Sequence, residues 1–298
     1  MNDHEIQEVF SKMKIFEKMY ELIRFVDPIH KMVFDYKNNS INDLDIKCFD
    51  FWNKNDLCDN CISIRAYNEN ETFVKFEYNN EKIYMITAIP FELSNRRIVI
   101  EILKETTSSI VVGVGEGKDT KKSEIYAMID SMNNLALKDA LTGVYNRRYI
   151  NEKLPIDLIS SALLDQNLSL ILTDIDYFKK VNDTYGHLTG DSALKSFVET
   201  LTGCTQRKSD WAARYGGDEF LICLPGAKLE RAVEIAELMR KTIEKREFLC
   251  GENALRITAS FGVFSVKPNQ SVSVESLIQN VDSKLYLAKN NGRNRTEY

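Results

Sequence analysis

The chain has 298 residues, 44% of them hydrophobic and 28% charged, with a formal net charge of −5. At roughly 100–200 residues per domain, that length fits two domains, each large enough to bury a core. The acidic balance argues against a general attraction to nucleic acid or anionic membrane, and no apolar run approaches the ~18 residues of a membrane span. The start, Met1-Asn2-Asp3-His4-Glu5, lacks the basic and apolar regions of a secretory signal, so a cytoplasmic protein is expected. In that reducing setting the six Cys are expected as thiols or metal ligands rather than disulfides.

In chain order, a helix is predicted over about residues 3–25, from Ile6, Phe10, Met13, Phe16 and Tyr20 at helical spacing. Cys48 and then Cys58-Asp59-Asn60-Cys61 follow, around Phe51-Trp52. A Cys-x₂-Cys with a third Cys nearby suits zinc or an iron–sulfur cluster, given a fourth ligand from elsewhere. His30 is one such donor, although nothing in its spacing selects it. A redox thiol pair and plain buried packing are the other two readings. Three strand-like runs come next, over residues 72–78, 82–91 and 97–104. The polar turns Asn79-Asn80 and Ser94-Asn95 separate them, which predicts an antiparallel meander.

The stretch Gly113-Val114-Gly115-Glu116-Gly117 opens a Gly-rich and then charged seam, as in linkers. Beyond it Ile125, Met128, Met132 and Leu135 form a short heptad stripe. A helix packed on its own domain and a dimer stalk are equal readings of that stripe, which falls short of the three or more heptads a coiled coil wants.

The second half mixes strands and helices. Residues 168–173 are almost wholly apolar, as in a strand buried on both faces. A helix is predicted over 191–206. Strands over 211–215 and 219–224 flank Gly216-Gly217, a hairpin signal because such turns need positive φ. Helices over 229–245 and 273–290 enclose a further strand over 256–266.

Two acidic clusters sit where chemistry needs them. Asp174-Ile175-Asp176 follows the buried strand, and Asp218-Glu219 stands at the mouth of the Gly-Gly hairpin. Carboxylates at the end of a central strand are costly to bury unless a cation neutralises them. If the two elements are neighbours, Asp174 and Asp218 can share Mg²⁺ and assist attack of a hydroxyl on a phosphate. Lys179 and Lys180 follow Asp176 closely, while Lys289 and Arg293 lie at the end of the last predicted helix, where Lys289 suits either the helix dipole or triphosphate oxygens. Either acidic cluster alone reads as a solvated loop; together they favour an enzyme.

These residues resemble a known family. Asp139-Ala140-Leu141-Thr142-Gly143-Val144-Tyr145-Asn146-Arg147-Arg148, the run from Asp174 to Asp183, Gly186-His187-Leu188-Thr189-Gly190-Asp191, Arg214-Tyr215-Gly216-Gly217-Asp218-Glu219-Phe220 and the run from Ala288 to Arg295 together resemble the GGDEF domain of bacterial diguanylate cyclases. The resemblance implies a palm-like nucleotidyl cyclase fold with a central antiparallel sheet and surrounding helices. It also implies condensation of two GTP into cyclic di-GMP with Mg²⁺ (or Mn²⁺). Asp174, the Ile175 carbonyl, Asp218 and Glu219 are implied metal contacts, with Asp218 and Glu219 catalytic. Phe178 and Lys179 are implied to hold phosphate, and Lys289 and Arg293 to neutralise it. Asn182 and Asp191 are implied to read guanine, and Gly216 and Gly217 to make room for the nucleotide. Asp191 has chemical content of its own: a carboxylate accepts from guanine N1–H and N2–H₂ together, and adenine offers no such pair. Asp191 also reads as the start, and N-cap, of its helix. Arg207 and Asp210 fall at the family's inhibitory product site.

One site holds one GTP, so the resemblance implies a homodimer. The first half resembles a PAS sensor domain, from its place before the GGDEF segment and its meander. The expected class is α+β: a PAS-like antiparallel-sheet domain over 1–112, a linker and signalling helix over 113–137, and the cyclase domain over 138–298. No hydrolase domain is expected after Tyr298, so synthesis without hydrolysis is the expectation. The alternative is a catalytically silent module that senses GTP or cyclic di-GMP.

Overall fold

The computed structural model describes residues 20–37, 40–53, 58, 60–80, 82–93, 96–107, 122–205, 207–250, 253–269 and 272–298. The chain divides into two compact units, Met1–Ala136 and Leu137–Tyr298.

The first unit holds β1 (Leu22–Asp27), β2 (Met32–Lys37), β3 (Ser40–Lys47), α1 (Ile62–Glu69), β4 (Phe73–Asn79), β5 (Lys82–Leu93) and β6 (Arg96–Glu105). Its strands form one antiparallel sheet in the order β3-β2-β1-β6-β5-β4. The predicted meander is β4, β5 and β6. The predicted opening helix is corrected at its end: Leu22–Asp27 is a strand, and residues 3–19 lie outside the described residues. The turn after β1 explains the change. Asp27 Oδ1 accepts from the N–H groups of Ile29 and His30, both at 2.9 Å. This Asp-Pro turn folds β1 back on β2. Trp52, Ile62, Ala66, Ile86, Val99 and Leu103 then form a core under α1.

The seam residues 108–121 lie outside the described residues. After them α2 (Lys122–Leu137) begins. One face of α2 meets the first unit. Tyr126 stacks on Tyr78 at 4.7 Å, Asp130 Oδ2 accepts from Tyr78 OH, and Asn133 Oδ1 accepts from Asn60 Nδ2. Of the heptad stripe, three residues lie on a different face. Met128, Met132 and Leu135 are 48%, 57% and 72% exposed.

The second unit holds α3 (Arg147–Leu163), β7 (Leu168–Ile175), α4 (Phe178–Tyr185), α5 (His187–Cys204), β8 (Trp211–Gly216), β9 (Glu219–Pro225), α6 (Leu229–Lys245), β10 (Phe248–Cys250), β11 (Asn253–Leu255), β12 (Ala259–Val266), α7 (Val274–Asn290) and β13 (Thr296–Glu297). Its main sheet runs β13-β12-β7-β9-β8, antiparallel except for the β12–β13 pair. Alternation along β7 divides the core. Ile171 and Ile175 face α5 and α6 with Phe197, Phe220 and Met239. Leu168, Leu170 and Leu172 face α3 and α7 with Leu154 and Leu285. Two helix layers therefore sandwich a fully buried strand, and β7 delivers its last residues to the sheet edge where the site lies.

Gly262 sets the height of α7. A Cβ there would fall 2.3 Å from Leu285 N and 2.5 Å from Val281 O, so α7 crosses directly on the β12 backbone. Among the described residues, no helix is long and apolar enough to cross a membrane.

Candidate active site

The end of β7 and the β8–β9 hairpin come together as the two acidic clusters require. Asp174 pairs across the sheet with Glu219. The turn between β8 and β9 is Gly217-Asp218, with Gly217 at φ +54°, a conformation that suits glycine. Arg214 staples the turn: its Nε donates to Gly217 O at 2.8 Å, and its Nη1 reaches both oxygens of Asp139 at 3.1 and 3.2 Å. Burial would raise the Asp139 carboxyl, but two hydrogen bonds from Thr142 and the Arg214 charge bring it below its ordinary range. No role follows for Asp139 from sequence reasoning alone, although Asp139-x-x-Thr142 is a local signature of such a loop.

Gly216 is informative for another reason. Its φ is not in the left-handed range, and a Cβ built on it would meet no protein atom within 4 Å. Neither its backbone conformation nor this chain's own packing requires glycine there. The space beside the hairpin is open at Gly216.

Asp174 is largely buried. Its carboxyl is pushed up to about 6 by burial first, with Asp218 and Glu219 adding to the rise and Lys289 opposing it. Lys289 Nζ lies 2.9 Å from Asp174 Oδ2 and 3.8 Å from Glu219 Oε1. Three carboxylates and one ammonium leave an excess of negative charge in a poorly solvated corner. Mg²⁺ fits that donor set, being a hard cation that takes carboxylate oxygens. Among the described residues no three acidic or ligating side chains yet converge at coordination distance; Lys289 is the cation that bridges Asp174 and Glu219.

Asp176 parts company with Asp174. It is buried and accepts from Thr258, Ser260 and Asn294.

The remaining predicted residues lie on α4, α5 and the end of α7. Phe178 and Lys179 open α4, whose N-cap Tyr177 provides no side-chain cap, so their N–H groups stand at the positive end of the helix. Asn182 and Asp191 are brought together by Gly190. A Cβ on Gly190 would fall 1.9 Å from Asn182 Oδ1, so the amide seats against α5 beside Asp191. The N-cap reading of Asp191 is corrected: α5 starts at His187 with Gly186 as N-cap, and Asp191 lies a turn further in. The reason is Gly186 at φ +81°, which turns the chain directly from α4 into α5. Arg293 lies beyond α7, its guanidinium 4.6 Å from the centre of the Tyr177 ring.

Arg207 and Asp210 sit at the far end of β8 from the hairpin. Asp210 N donates to Arg207 O at 3.1 Å, and both residues line a cavity of about 50 Å³ with Arg231. Burial raises the Asp210 carboxyl against the pull of Arg207 and Arg231.

Residues 136–295 match the family model described as diguanylate cyclase, GGDEF domain. The chain belongs to the GGDEF family. Its GGDEF domain is 42% identical over 163 residues to the diguanylate cyclase VdcA of Vibrio cholerae, covering 54% of this chain and 46% of that protein. It is 38% identical over 168 residues to the response regulator PleD of Caulobacter vibrioides, covering 56% of this chain and 37% of that one. The chain thus spans less than half the length of these curated relatives. Among solved structures, it is similar to the coiled coil and GGDEF domain of DgcB from Caulobacter crescentus in complex with c-di-GMP. That likeness has a TM-score of 0.55 at 27% identity, over 59% of this chain and 92% of that one.

Cys48 is buried and packs with Val26 and Val33, while Cys58 packs against the Trp52 cluster. Burial, with Cys58 nearby, pushes the Cys61 thiol up to about 12, and burial raises Cys48 strongly. Cys61 and Cys58 add to the rise at Cys48, so the three thiols lie near one another. His30 Nδ1 lies 2.8 Å from Asp27 Oδ2. Among the described residues no metal-binding group forms here.

Proposed function

We propose that this chain condenses two GTP into cyclic di-GMP with release of two pyrophosphates. The observation that carries the reading is the under-neutralised Asp174, facing Asp218 and Glu219 beside a Gly216 with open space against it.

Asp174, the Ile175 carbonyl, Asp218 and Glu219 are the oxygen donors that would hold Mg²⁺ (or Mn²⁺), which when bound makes the ribose 3′-hydroxyl more acidic and neutralises the leaving pyrophosphate. Asp218, at the tip of the hairpin, accepts the 3′-hydroxyl proton. The 3′-oxygen then bonds to the α-phosphorus of the facing GTP, and the bond to the β-phosphate oxygen breaks. Repetition in the other direction closes the ring. Phe178 and Lys179 hold phosphate at the start of α4, and Lys289 and Arg293 neutralise it. Asn182 and Asp191 read the guanine edge, and Gly216 and Gly217 admit the nucleotide.

One hairpin serves one GTP, so two chains act face to face. The exposed Met128, Met132 and Leu135 stripe on α2 supports a pairing surface between them. Arg207 and Asp210 bind product as a brake. The first unit is a PAS-like sensor; its meander and its place before the GGDEF domain support that reading. This gives three working parts: the sensor over 1–112, the linker and signalling helix over 113–137, and the cyclase over 138–298.

The test is product analysis after incubation of the chain with GTP and Mg²⁺. Cyclic di-GMP is expected, with ATP turned over at least about 100-fold more slowly, because adenine lacks the donors Asp191 accepts from. A verified dimer that makes no cyclic dinucleotide contradicts the proposal.

A further inference from the structure

Asp176, two residues beyond Asp174, plays no part in the proposed reaction, yet its carboxylate is fully engaged. Oδ1 accepts from Ser260 Oγ at 2.6 Å, and Oδ2 accepts from Thr258 Oγ1 at 2.7 Å and from Asn294 N at 3.0 Å. Its own N–H donates to Thr258 O at 2.9 Å. Three protein donors thus hold its two oxygens in place.

The Asn294 contact is the one with a consequence for phosphate. Arg293 and Asn294 follow α7 with φ of 61° and 44°, and Tyr177, next to Asp176 in the chain, has φ of 58°. Asn adopts the left-handed region readily, whereas Arg and Tyr enter it chiefly where their surroundings impose it. Asn294 is held from both sides. Its N–H bonds Asp176, while its side chain accepts from Arg240 Nη1 at 3.0 Å and donates to Glu244 Oε1 at 2.7 Å. The two left-handed segments meet where the Arg293 guanidinium lies over the Tyr177 ring at 4.6 Å. A cation stacked on an aromatic ring keeps its outward N–H groups available.

We propose that Asp176 is a positioning residue for the triphosphate: by gripping the Asn294 N–H it fixes the left-handed turn that presents Arg293, stacked on Tyr177, at the start of α4. This inference rests on the assignment of Arg293 to phosphate under the proposed function. Asp174 and Asp176 thus divide two tasks, one toward metal and the other toward the phosphate clamp.

The test is a double-mutant cycle on the full chain, read as equilibrium binding of a non-hydrolysable GTP analogue with Mg²⁺. Asp176→Ala and Arg293→Ala are each expected to weaken binding about tenfold, as loss of a charge-assisted phosphate contact does. The double variant is expected within about twofold of Arg293→Ala, because both changes remove one device. Independent losses that multiply to roughly a hundredfold overturn the proposal. If Asp176→Ala does not fold, Asp176→Asn decides. Its oxygen can serve Thr258 and Asn294 while its amide faces the Ser260 hydroxyl, so binding within about threefold of wild type is expected. A tenfold loss in that variant would show that charge rather than hydrogen-bond geometry matters, and would overturn the proposal. If Arg293→Ala binds like wild type, the phosphate reading of Arg293 falls instead. The clip is then judged by hydrogen exchange at the Asn294 amide in the Asp176 variant: faster exchange sustains it and unchanged exchange ends it.

Discussion

The two sheets both bury charge, and they treat it differently. In the first unit Arg24 and Glu101 form an ion pair, each side chain 7% exposed, and Ser63 Oγ donates to the other Glu101 oxygen. Lys75 and Glu77 pair at 3.0 Å on β4, both nearly buried. In the second unit Asp176 is saturated in the same way, whereas Asp174 is left with two further carboxylates and one ammonium. Fully partnered buried charges specify a fold; an under-partnered one marks the place where a ligand completes the set.

The contrast can be broken by mutation. Glu101→Ala leaves Arg24 buried without its partner, and loss of about 3–5 kcal/mol in the first unit is expected from denaturant unfolding. A loss below about 1 kcal/mol would remove the distinction between the sheets. Gly262→Ala drives a methyl into the α7 backbone. A loss of about 3 kcal/mol is expected, together with weaker GTP-analogue binding as Lys289 shifts. Asp174→Asn works in the opposite direction. The native carboxyl lies near 6 against an ordinary 3.8, so the folded state holds the proton more tightly than the unfolded chain. The penalty is present above about pH 6 and is relieved as pH falls from 7 toward 4. Metal-free Asp174→Asn is therefore expected to be more stable at pH 7 by roughly 1–2 kcal/mol, with the gain vanishing near pH 4. The smallest stability effect belongs to the α2 stripe. Met132→Asp is expected to change unfolding by less than about 0.5 kcal/mol, yet to shift the chain toward monomer in sedimentation and reduce cyclic di-GMP output.

The second unit was the more legible of the two. A continuous apolar run announced β7, and the Gly-Gly pair announced the β8–β9 hairpin. Leu229–Lys245 carried its helix in plain periodicity. α3 escaped because Pro155 interrupts its pattern; only Asn146 before it offered a cap signal. In the first unit, the helix expected over about 3–25 runs into β1 because its periodicity, from Ile6 to Tyr20, gives no stop signal, and the Asp27-Pro28 turn after β1 is the better guide. The separation of Asp174 from Asp176 was beyond sequence. The donors that engage Asp176 lie 82, 84 and 118 residues away, and only the closed sheet brings them to it. The sequence singles out its acids, glycines and bases as a set because each type answers a need of phosphate chemistry. Their pairing, such as Asn182 seated on Gly190, required the fold.

The most direct measurement of the central claim is the thermal midpoint of the second unit, with and without Mg²⁺ and a non-hydrolysable GTP analogue, in wild type and Asp174→Asn at pH 7. Wild type is predicted to start lower and to rise markedly when both are added, since a ligand that binds only the folded state stabilises it. Asp174→Asn is predicted to start higher and to gain little. An Asp174→Asn chain that starts lower than wild type, or that gains as much from Mg²⁺ and the analogue, would contradict the account.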